Sequence, residues 1–546
     1  MELVKKYSLV LIILLSVVLR FWQLNSNPPG LTWDEASIGV NAYDISQTGR
    51  DEYGNFLPDN LKSFGDWKPA AYIYLTVPFV ALFGLNEWAV RLPSAILGVA
   101  LVWLIFSLVK ELLQNKTLGL LASFTLAISP WHLQFSRAAF EANAALTMNV
   151  LGAYLFLKGL KSRKLLIFSA LIFGLSLFTY QASRLFVPLF ILLLVITSYR
   201  QIRWRSLMPA AVVITVFLLL LMVTLFSGQA TRLKTFNFFA YQRSQNEIQK
   251  LSLESKLPAN SAQFQILYGE WWSYARGLVE RYSIYFSPST LFVKGTLEER
   301  HRIPDLGFFY YYSALLIPLG IFHLLKNQKG VGLIFGWLLI APLPAVLSRD
   351  LISILRALNM VVPYVILEAA GLYYLLTLIN RLRVSWRSLV YGVVIVVMLS
   401  NFIIYLDRYF VHAPVEYSNY WLYGYKQTFE QVYKIQNNYP KIIVTDVYGQ
   451  PYIYYLFYNP DRLNFQGQYN LDQFGSDVGT VKKIGKIEFR HLYWPADRNL
   501  KNTLFVGSPD ELPDKDIVPF KEFNILNRVK FLNGEEVFKL VERGDG

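Results

Sequence analysis

The stretch LPSAILGVALVWLIFSLV, which occupies residues 92–109, decides the class of fold. It contains no charged residue, and a helix needs about 20 mostly apolar residues to cross the hydrocarbon core of a bilayer. Buried strands are usually much shorter than this stretch. The stretch therefore predicts a membrane-spanning α-helix.

Apolar runs of the same kind recur on both sides of this stretch. They occupy residues 7–19, 117–136, 142–157, 165–183, 185–199, 206–231, 306–325, 330–348 and 388–406, and a similar run at 357–380 contains Glu368. The first run follows two lysines and is not followed by a small-residue cleavage site, so we interpret it as an uncleaved span and not as a signal peptide. The run 69–86 is equally apolar but ambiguous. Together the runs predict a mainly α-helical, polytopic membrane protein.

The composition agrees with a membrane protein and excludes several other classes. Hydrophobic residues make up 54% of the 546 residues and charged residues 16%, which fits neither a disordered chain nor an ordinary soluble enzyme. The chain has no cysteine, which excludes disulfides, thiolate metal sites and cysteine nucleophiles. A net charge of +14 is compatible with nucleic-acid binding, but the positions of the charges explain it otherwise.

Basic residues in short loops mark the cytoplasmic side of a membrane protein. With the N-terminus inside and 69–86 left out as a span, the inside loops hold fourteen lysines and arginines, among them Lys329. The short outside loops hold four, which are Arg137, Arg184, Arg349 and Arg356. Counting 69–86 as a span would invert this bias, so we interpret it as a juxtamembrane or re-entrant helix. The sequence predicts about eleven spans in the plasma (inner) membrane, a cytoplasmic N-terminus and no role for nucleic acid.

Three segments remain outside the predicted bilayer, all on the outer face. They are the loop 25–90, the loop 232–305 and the tail 407–546. In the tail the pattern predicts strands at 441–445, 487–493 and 503–506, a hairpin at 529–540, a helix at 424–437, and a helix or turn at 449–458. We therefore divide the chain into a membrane domain, residues 1–406, and an extracytoplasmic α/β domain, residues 407–546.

The loop 25–90 carries the first candidates for chemistry. Asp34 and Glu35 follow the first span closely, and a carboxylate at the membrane surface can act as a general base on a hydroxyl. The structural alternative is that Asp34 caps the helix that follows it. Lys68 can bind a phosphate as a point charge, or it can anchor the chain at the membrane interface.

Further charged residues lie at the outer ends of predicted spans. Arg137 and Glu141 are spaced i,i+4, so they can form a simple pair on a helix surface or line a polar site. His301 and Arg302, with a further arginine before them, can bind an anionic lipid headgroup, although a lone histidine is more often a hydrogen-bonding residue. Arg356 is another candidate for a phosphate contact, or a snorkelling arginine.

These residues together resemble those of a known family. The Asp34-Glu35 pair after the first span, Lys68-Pro69 before a juxtamembrane helix, and the sequences 87–94, 136–143 and 300–307 are similar to motifs of the GT-C glycosyltransferases. The nearest branch is that of the bacterial relatives of protein O-mannosyltransferases and of the lipid A aminoarabinose transferase, and the tail sequence 448–452 is similar to its closest members. The resemblance covers roughly residues 1–406.

The resemblance implies an enzyme that transfers a sugar from a polyprenyl-phosphate donor to a hydroxyl of a lipid, glycan or protein acceptor, with inversion, on the outer face. It implies that Asp34 is the general base, that Glu35 supports it and that Glu141 stands at a second acid position. The donor would be bound by Lys68, Arg137, His301, Arg302 and Arg356. A divalent metal is a candidate cofactor, with Asp66 and His301 as its candidate ligands.

Two other classes of function fit part of the sequence. A transporter or lipid flippase usually places ionisable groups at mid-membrane and often has internal repeats, whereas Glu368 is the one such group predicted here and the sequence shows no repeat. A sensor or assembly protein would use the tail to bind a partner and the membrane part as an anchor, for which eleven spans are excessive. We therefore expect the glycosyltransferase, with the transporter as the alternative.

Overall fold

The computed structural model describes residues 2–226, 238–240, 242–327, 330–348, 350–473 and 479–544. Lys329 and Arg349, which entered the topology prediction, lie outside the described residues, as do the end of the predicted span 206–231 from residue 227 and residues 232–237 of the second predicted outer loop. The described chain is mainly helical and has strands in the first loop and in the tail. The prediction of a mainly helical chain is confirmed.

Helices form at the positions of the apolar runs and also within the two predicted outer loops 25–90 and 232–305. In the first part of the chain they are α1 (Glu2–Phe21), α2 (Trp33–Thr48), α3 (Ala71–Phe83), α4 (Glu87–Leu113), α5 (Lys116–Ile128), α6 (Pro130–Ser136), α7 (Glu141–Gly159), α8 (Arg163–Leu177), α9 (Ser183–Ser198) and α10 (Trp204–Phe226). Later helices include Gln245–Ser255, Ala262–Tyr268, Glu270–Ile284, Ser313–Asn327, Val331–Ile340, Leu343–Val346, Val361–Ile379 and Val384–Asp407.

Two of the predicted runs are each divided into two helices. The run 117–136 forms α5 and α6, which meet at Ser129 and Pro130. The run 330–348 forms helices that end at Ile340 and begin again at Leu343, on either side of Pro342. Proline lacks the N–H that a continuous helix would use, which explains why both breaks fall beside one.

Four helices of the described chain are long and apolar enough to cross a membrane, by length and composition alone. They are Glu87–Leu113, Trp204–Thr224, Leu358–Ile379 and Val384–Glu416. The remaining apolar helices are shorter, and α3 has 13 residues. At a rise of about 1.5 Å per residue, α3 would span about 20 Å, which is less than the hydrocarbon thickness of about 30 Å.

The chain divides into two compact units. The first comprises Met1–Leu14, Ala100–His132 and Ala145–Phe402. Within it the helices Ser313–Asn327 and Val361–Ile379 approach so closely that a Cβ on Gly320 would lie 1.8 Å from the carbonyl oxygen of Leu367. The Ser313 hydroxyl donates to Glu368 Oε1 at 2.8 Å across the same pair of helices. The acid noted in the sequence is thus part of a helix–helix contact.

The second compact unit comprises Leu15–Val99, Leu133–Ala144 and Ile403–Gly546. It joins the first predicted outer loop to the tail in one hydrophobic core, to which Ile38 and Tyr72 contribute from the loop and Phe457 and Leu504 from the tail. The boundary between residues 406 and 407 stays a prediction.

The strands of this second unit form a hairpin in the loop and a mixed sheet in the tail. The strands are β1 (Asn60–Ser63), β2 (Asp66–Pro69), β3 (Lys441–Val444), β4 (Asp472–Gln473), β5 (Gly479–Thr480), β6 (Lys483–Ile484), β7 (Ile487–Phe489), β8 (Thr503–Gly507), β9 (Phe523–Lys530) and β10 (Glu536–Arg543). Within the described residues the main sheet has the order β6-β7-β3-β8-β10-β9, and β3 runs parallel to β7 and β8.

Helices cover the tail sheet, as the α/β pattern predicted. The tail helices are Ala413–Glu416, Tyr425–Ile435, Pro451–Tyr458 and Trp494–Asp497. The segment 449–458, predicted as a helix or a turn, is a helix from Pro451 to Tyr458, which we call the tail helix. The hairpin predicted at 529–540 is the pair β9–β10.

Candidate active site

Helix α2 begins immediately before the paired acids. Thr32 is its N-cap: the Thr32 hydroxyl accepts a hydrogen bond from the Glu35 N–H at 3.2 Å, and the Glu35 carboxylate accepts one from the Thr32 N–H at 3.1 Å. This capping box satisfies two backbone donors of the helix end. The interpretation of Asp34 as the cap is therefore wrong: Thr32 is the N-cap of α2, and Asp34 lies in the first turn of the helix.

Asp34 forms an ion pair with Lys68. The Lys68 ammonium donates to Asp34 Oδ1, and the Asp34 side chain is 50% exposed whereas that of Lys68 is 10% exposed. The ammonium also lies 5.3 Å from the centre of the Phe64 ring, within the range of a cation–π contact. The pair places a solvent-accessible carboxylate beside a largely buried positive charge.

The β1–β2 hairpin positions Lys68. The strands are antiparallel, with Leu61 opposite Lys68. The turn residues Phe64 and Gly65 have φ angles of 54° and 95°, as a type I′ turn requires. Asp66 lies two residues before Lys68, so both belong to the same face of β2, and Asp66 is buried.

Glu35 is buried, in contrast to Asp34. Its Oε1 accepts hydrogen bonds from Arg91 Nε at 2.9 Å and from the Ala139 N–H at 3.0 Å. Its Oε2 accepts from the Thr32 N–H at 3.1 Å and from Arg91 Nη2 at 3.4 Å. A carboxylate bound by these donors is an anchor for the first turn of α2.

Two buried arginines hold the chain that connects α1 to α2. Arg91 donates to the carbonyls of Leu24, Pro28 and Gly30 at 3.1, 2.9 and 2.5 Å. Arg137 donates to the carbonyls of Leu19, Trp22 and Asn27 at 2.6, 2.6 and 3.0 Å. Both side chains are completely buried. In this arrangement Arg137 fixes the connecting segment that precedes Asp34.

Glu141 stands at the first position of α7 and is half-buried. Tyr72, a completely buried residue of α3, interacts electrostatically with both Glu141 and Glu35. The segment Leu133–Ala144 belongs to the same compact unit as α2 and the hairpin. The structure thus brings Glu141 into the surroundings of the paired acids.

His301 and Arg302 lie in the first compact unit, and both pair with nearby glutamates. His301 Nδ1 is 3.2 Å from Glu298 Oε2, and Arg302 Nη2 is 3.4 Å from Glu299 Oε1. Burial raises the pKa of Glu298, but the hydrogen bond from His301 and the neighbouring positive charges outweigh it and lower that pKa to about 2. The Glu298 carboxylate is therefore ionised at neutral pH.

Arg356 belongs to the same unit and forms an ion pair with Asp350. Its side chain is 22% exposed, and that of Asp350 is 48% exposed. A role for Arg356 in phosphate binding stays a prediction.

Among the described residues, no group of three or more histidines, aspartates and glutamates is arranged to hold a metal ion. Asp66 and His301, the candidate metal ligands, belong to different compact units. Metal binding by either residue stays a prediction.

Sequence reasoning overlooked Arg91 as a functional residue. It appeared only within the motif 87–94, at the entrance of an apolar run. A charged residue at the entrance of an apolar run needs polar partners, and this need was the signal in the sequence that Arg91 has a role. The identity of its partner Glu35, 56 residues earlier in the chain, could not be read from the sequence.

Comparisons with known proteins bear on the fold of the chain and on the class of enzymes that share it. A family model described as dolichyl-phosphate-mannose-protein mannosyltransferase matches residues 68–226. Comparison with curated proteins finds no match. The matched segment begins at Lys68 and includes Arg91, Arg137 and Glu141.

Solved structures resemble nearly the whole chain. The structure of ArnT from Cupriavidus metallidurans bound to undecaprenyl phosphate is 13% identical, with a TM-score of 0.53 and 97% of each chain covered. The apo structure of the same protein gives 14% identity, a TM-score of 0.56 and the same coverage. The oligosaccharyltransferase AglB from Archaeoglobus fulgidus, in complex with an inhibitory peptide and a dolichol-phosphate, is 12% identical, with a TM-score of 0.50; 84% of this chain and 65% of AglB are covered.

The chain therefore has the fold of the GT-C class of membrane glycosyltransferases, and the resemblance inferred from its motifs is confirmed. Within that class 97% of the chain is similar in structure to ArnT, and at 13–14% identity this likeness shows a common fold and no more.

Proposed function

We propose that the protein transfers a sugar from a polyprenyl-phosphate donor to a hydroxyl of a lipid, glycan or protein acceptor on the outer face of the plasma membrane. The observation that carries this proposal is the Asp34–Lys68 pair, a half-exposed carboxylate held beside a buried ammonium. The undecaprenyl phosphate in the ArnT complex and the dolichol-phosphate in the AglB complex support a lipid-phosphate donor.

The proposed reaction is a single displacement at the anomeric carbon. Asp34 takes the proton of the acceptor hydroxyl as the oxygen attacks, and the bond from the anomeric carbon to the phosphate oxygen breaks. Polyprenyl phosphate leaves as an anion from the face opposite the attacking oxygen, so the Lys68 ammonium moves from Asp34 to the phosphate when the donor binds. The anion needs this positive charge and no proton donor. Attack on the face opposite the phosphate inverts the anomeric carbon.

The other acids and arginines of the second unit support this pair. Glu35 and Arg91 fix the first turn of α2, and Arg137 fixes the segment that leads to it. We assign positioning roles to these residues because their polar atoms form hydrogen bonds with other groups of the protein. We assign Glu141 to the second acid position of the site, since Tyr72 interacts electrostatically with both Glu141 and Glu35.

His301, Arg302 and Arg356 are proposed as further ligands of the anionic donor, and their acidic partners would have to yield to the phosphate. The proposal includes about eleven spans, a cytoplasmic N-terminus and an extracytoplasmic tail. This orientation gives the loop 25–90 and the tail access to the outer face, where a lipid-linked donor and its acceptor meet.

The proposal is tested with purified protein in detergent, labelled polyprenyl-phosphate hexoses and pentoses, and a heat-treated extract of the cell envelope that supplies acceptor hydroxyls. Wild type should release polyprenyl phosphate, and Asp34→Asn should release it at least about 100-fold more slowly because the base is lost. Asp59→Asn, which changes an exposed carboxylate of the same loop, is the matched control and should keep full activity. Release of polyprenyl phosphate by Asp34→Asn at the wild-type rate would contradict the assignment of Asp34 as the general base. Lipid translocation by wild type without any transfer would favour the transporter.

A further inference from the structure

The tail reaches the residues that immediately precede Asp34. The Tyr454 hydroxyl of the tail helix donates to the carbonyl of Leu31 at 2.8 Å. A Cβ on Gly30 would lie 2.1 Å from the carbonyl oxygen of Trp421, so the two backbones are in direct contact. The tail therefore touches the chain one and two residues before the N-cap Thr32.

Tyr454 is itself held rigidly. Its side chain is 1% exposed, and its ring stacks on Tyr425 with centroids 4.1 Å apart and planes 5° from parallel. Tyr425 in turn stacks on Phe429. A buried phenol that is stacked on Tyr425 presents its hydroxyl at a fixed point, so the carbonyl that binds it is fixed too.

The tail also contacts the hairpin that carries Lys68. The Gly479 N–H donates to the carbonyl of Phe64 at 2.7 Å. The ring of Tyr452, from the tail helix, meets the Phe64 ring edge to face at 5.9 Å. The tail thus contacts both segments that carry the Asp34–Lys68 pair, at Leu31 before Asp34 and at Phe64 in the hairpin that carries Lys68.

We infer that the tail sets the geometry of the active-site pair, and that Tyr454 is the positioning residue for Asp34. Leu31 precedes the cap Thr32, and the capping box joins Thr32 to Glu35, so Asp34 lies on the turn that Tyr454 holds. This inference rests on the proposed function. The competing role for the tail is recognition of the acceptor, and the experiment separates the two.

The test compares Tyr454→Phe with the matched control Tyr455→Phe. Both substitutions remove one hydroxyl from neighbouring, buried positions of the tail helix, and the Tyr455 hydroxyl donates to Gln436 Oε1, within the tail, at 3.1 Å. Tyr454→Phe should lower kcat by about tenfold, because small misplacements of a catalytic group cost rate, and should leave the KM values for donor and acceptor within about twofold. Tyr455→Phe should keep the wild-type kcat, and its Tm should change by about as much as that of Tyr454→Phe.

Hydrogen exchange gives a second readout that does not depend on turnover. Amides of residues 30–36 should exchange faster in Tyr454→Phe than in wild type or in Tyr455→Phe. Wild-type kcat in Tyr454→Phe, an equal loss in both variants, or unchanged exchange at 30–36 would each overturn the inference. A loss confined to the acceptor KM would overturn it in favour of acceptor recognition.

Failure of the proposed function is recognised separately. The proposed function fails if Asp34→Asn has full activity or if wild type transfers no sugar. Either result counts against it regardless of how fast the amides of residues 30–36 exchange. Faster exchange in Tyr454→Phe would support the contact in either case, because that measurement reports the anchoring of the segment and not the chemistry.

Discussion

At the scale of the residue, Asp34 and Glu35 are neighbours in the chain but have opposite surroundings. The side chain of Glu35 is 3% exposed and bound to the buried Arg91, whereas half of the Asp34 side chain is exposed. Burial of both members makes the Glu35–Arg91 pair costly to break, and the partial exposure of Asp34 makes its pair with Lys68 less costly to break. We therefore expect neutralisation of Glu35 and neutralisation of Asp34 to change the stability of the protein by different amounts.

Glu35→Gln should destabilise the protein, because it leaves the Arg91 guanidinium buried without its carboxylate. The expected loss is about 3–5 kcal/mol, which is the usual cost of removing one partner of a buried ion pair. Asp34→Asn is the control, and it should cost less than Glu35→Gln, because half of the Asp34 side chain is exposed to water whereas Glu35 is buried. Thermal unfolding of the detergent-solubilised variants measures the difference. Equal Tm values would contradict the assignment of Glu35 as an anchor.

The sequence indicated the candidate residues of the site, but it did not indicate which groups surround each of them. Asp34 and Lys68 stood out because charged residues beside apolar runs are few, and the structure places them in contact. The division of roles between Asp34 and Glu35 could not be predicted, since it depends on Arg91 and Ala139, which reach Glu35 from distant parts of the chain.

At the scale of the element, the loop 25–90 and the tail are packed together through polar contacts as well as through their shared core. Glu52, a completely buried residue of the loop, accepts hydrogen bonds from Asn41 Nδ2 at 2.9 Å and from the Tyr469 hydroxyl at 3.1 Å. Arg462 of the tail pairs with Asp44 of α2 at 3.2 Å. The tail is thus bound to α2 at its far end as well as beside Asp34.

Glu52 makes this packing sensitive to pH. Burial raises its pKa from 4.5 to about 8, against the opposing effect of its hydrogen bonds from Asn41 and Tyr469. The unfolded chain loses this proton near its ordinary pKa while the folded chain keeps it, so stability should fall as the pH rises from about 5 through about 8. Glu52→Gln, which mimics the protonated form, should remove part of this fall.

The measurement is the Tm of wild type and Glu52→Gln between pH 5 and pH 9. The two proteins should agree at pH 5, and the variant should be more stable at pH 9, by on the order of a few kcal/mol. Glu430→Gln, at an exposed position of the tail, is the control and should follow wild type. Parallel curves for wild type and Glu52→Gln would contradict the proposed titration.

The elements themselves were largely predictable, and their association was not. Apolar runs locate the helices because burial in a bilayer or a core requires continuous apolar residues, and period-two patterns locate the tail strands. The docking of the tail helix on α2 relies on contacts such as Tyr454 to Leu31, which are 423 residues apart. A single sequence carries no signal for such a pairing.

At the scale of the whole molecule, the proposed topology places the loop 25–90 and the tail on the outer face. It requires that α3 does not cross the bilayer. Because the chain has no cysteine, single-cysteine variants can test the topology without background labelling.

We expect a membrane-impermeant maleimide to label Asp59→Cys and Asn86→Cys on intact cells, because both ends of α3 lie outside. Lys161→Cys, between α7 and α8, should be labelled only after permeabilisation. Labelling of Asp59→Cys and Asn86→Cys from opposite sides would show that α3 spans the membrane and would overturn the eleven-span topology.

The most direct test of the account is the affinity of the purified protein for polyprenyl phosphate. Lys68 is proposed to bind the phosphate, and Asp34 competes for Lys68 and repels the anion. Asp34→Asn should therefore bind polyprenyl phosphate more tightly than wild type, by about threefold or more, and Lys68→Gln should bind it about tenfold more weakly, since it loses a charged hydrogen bond. Wild-type affinity in both variants would contradict the account, because the Asp34–Lys68 pair would then not be the phosphate site.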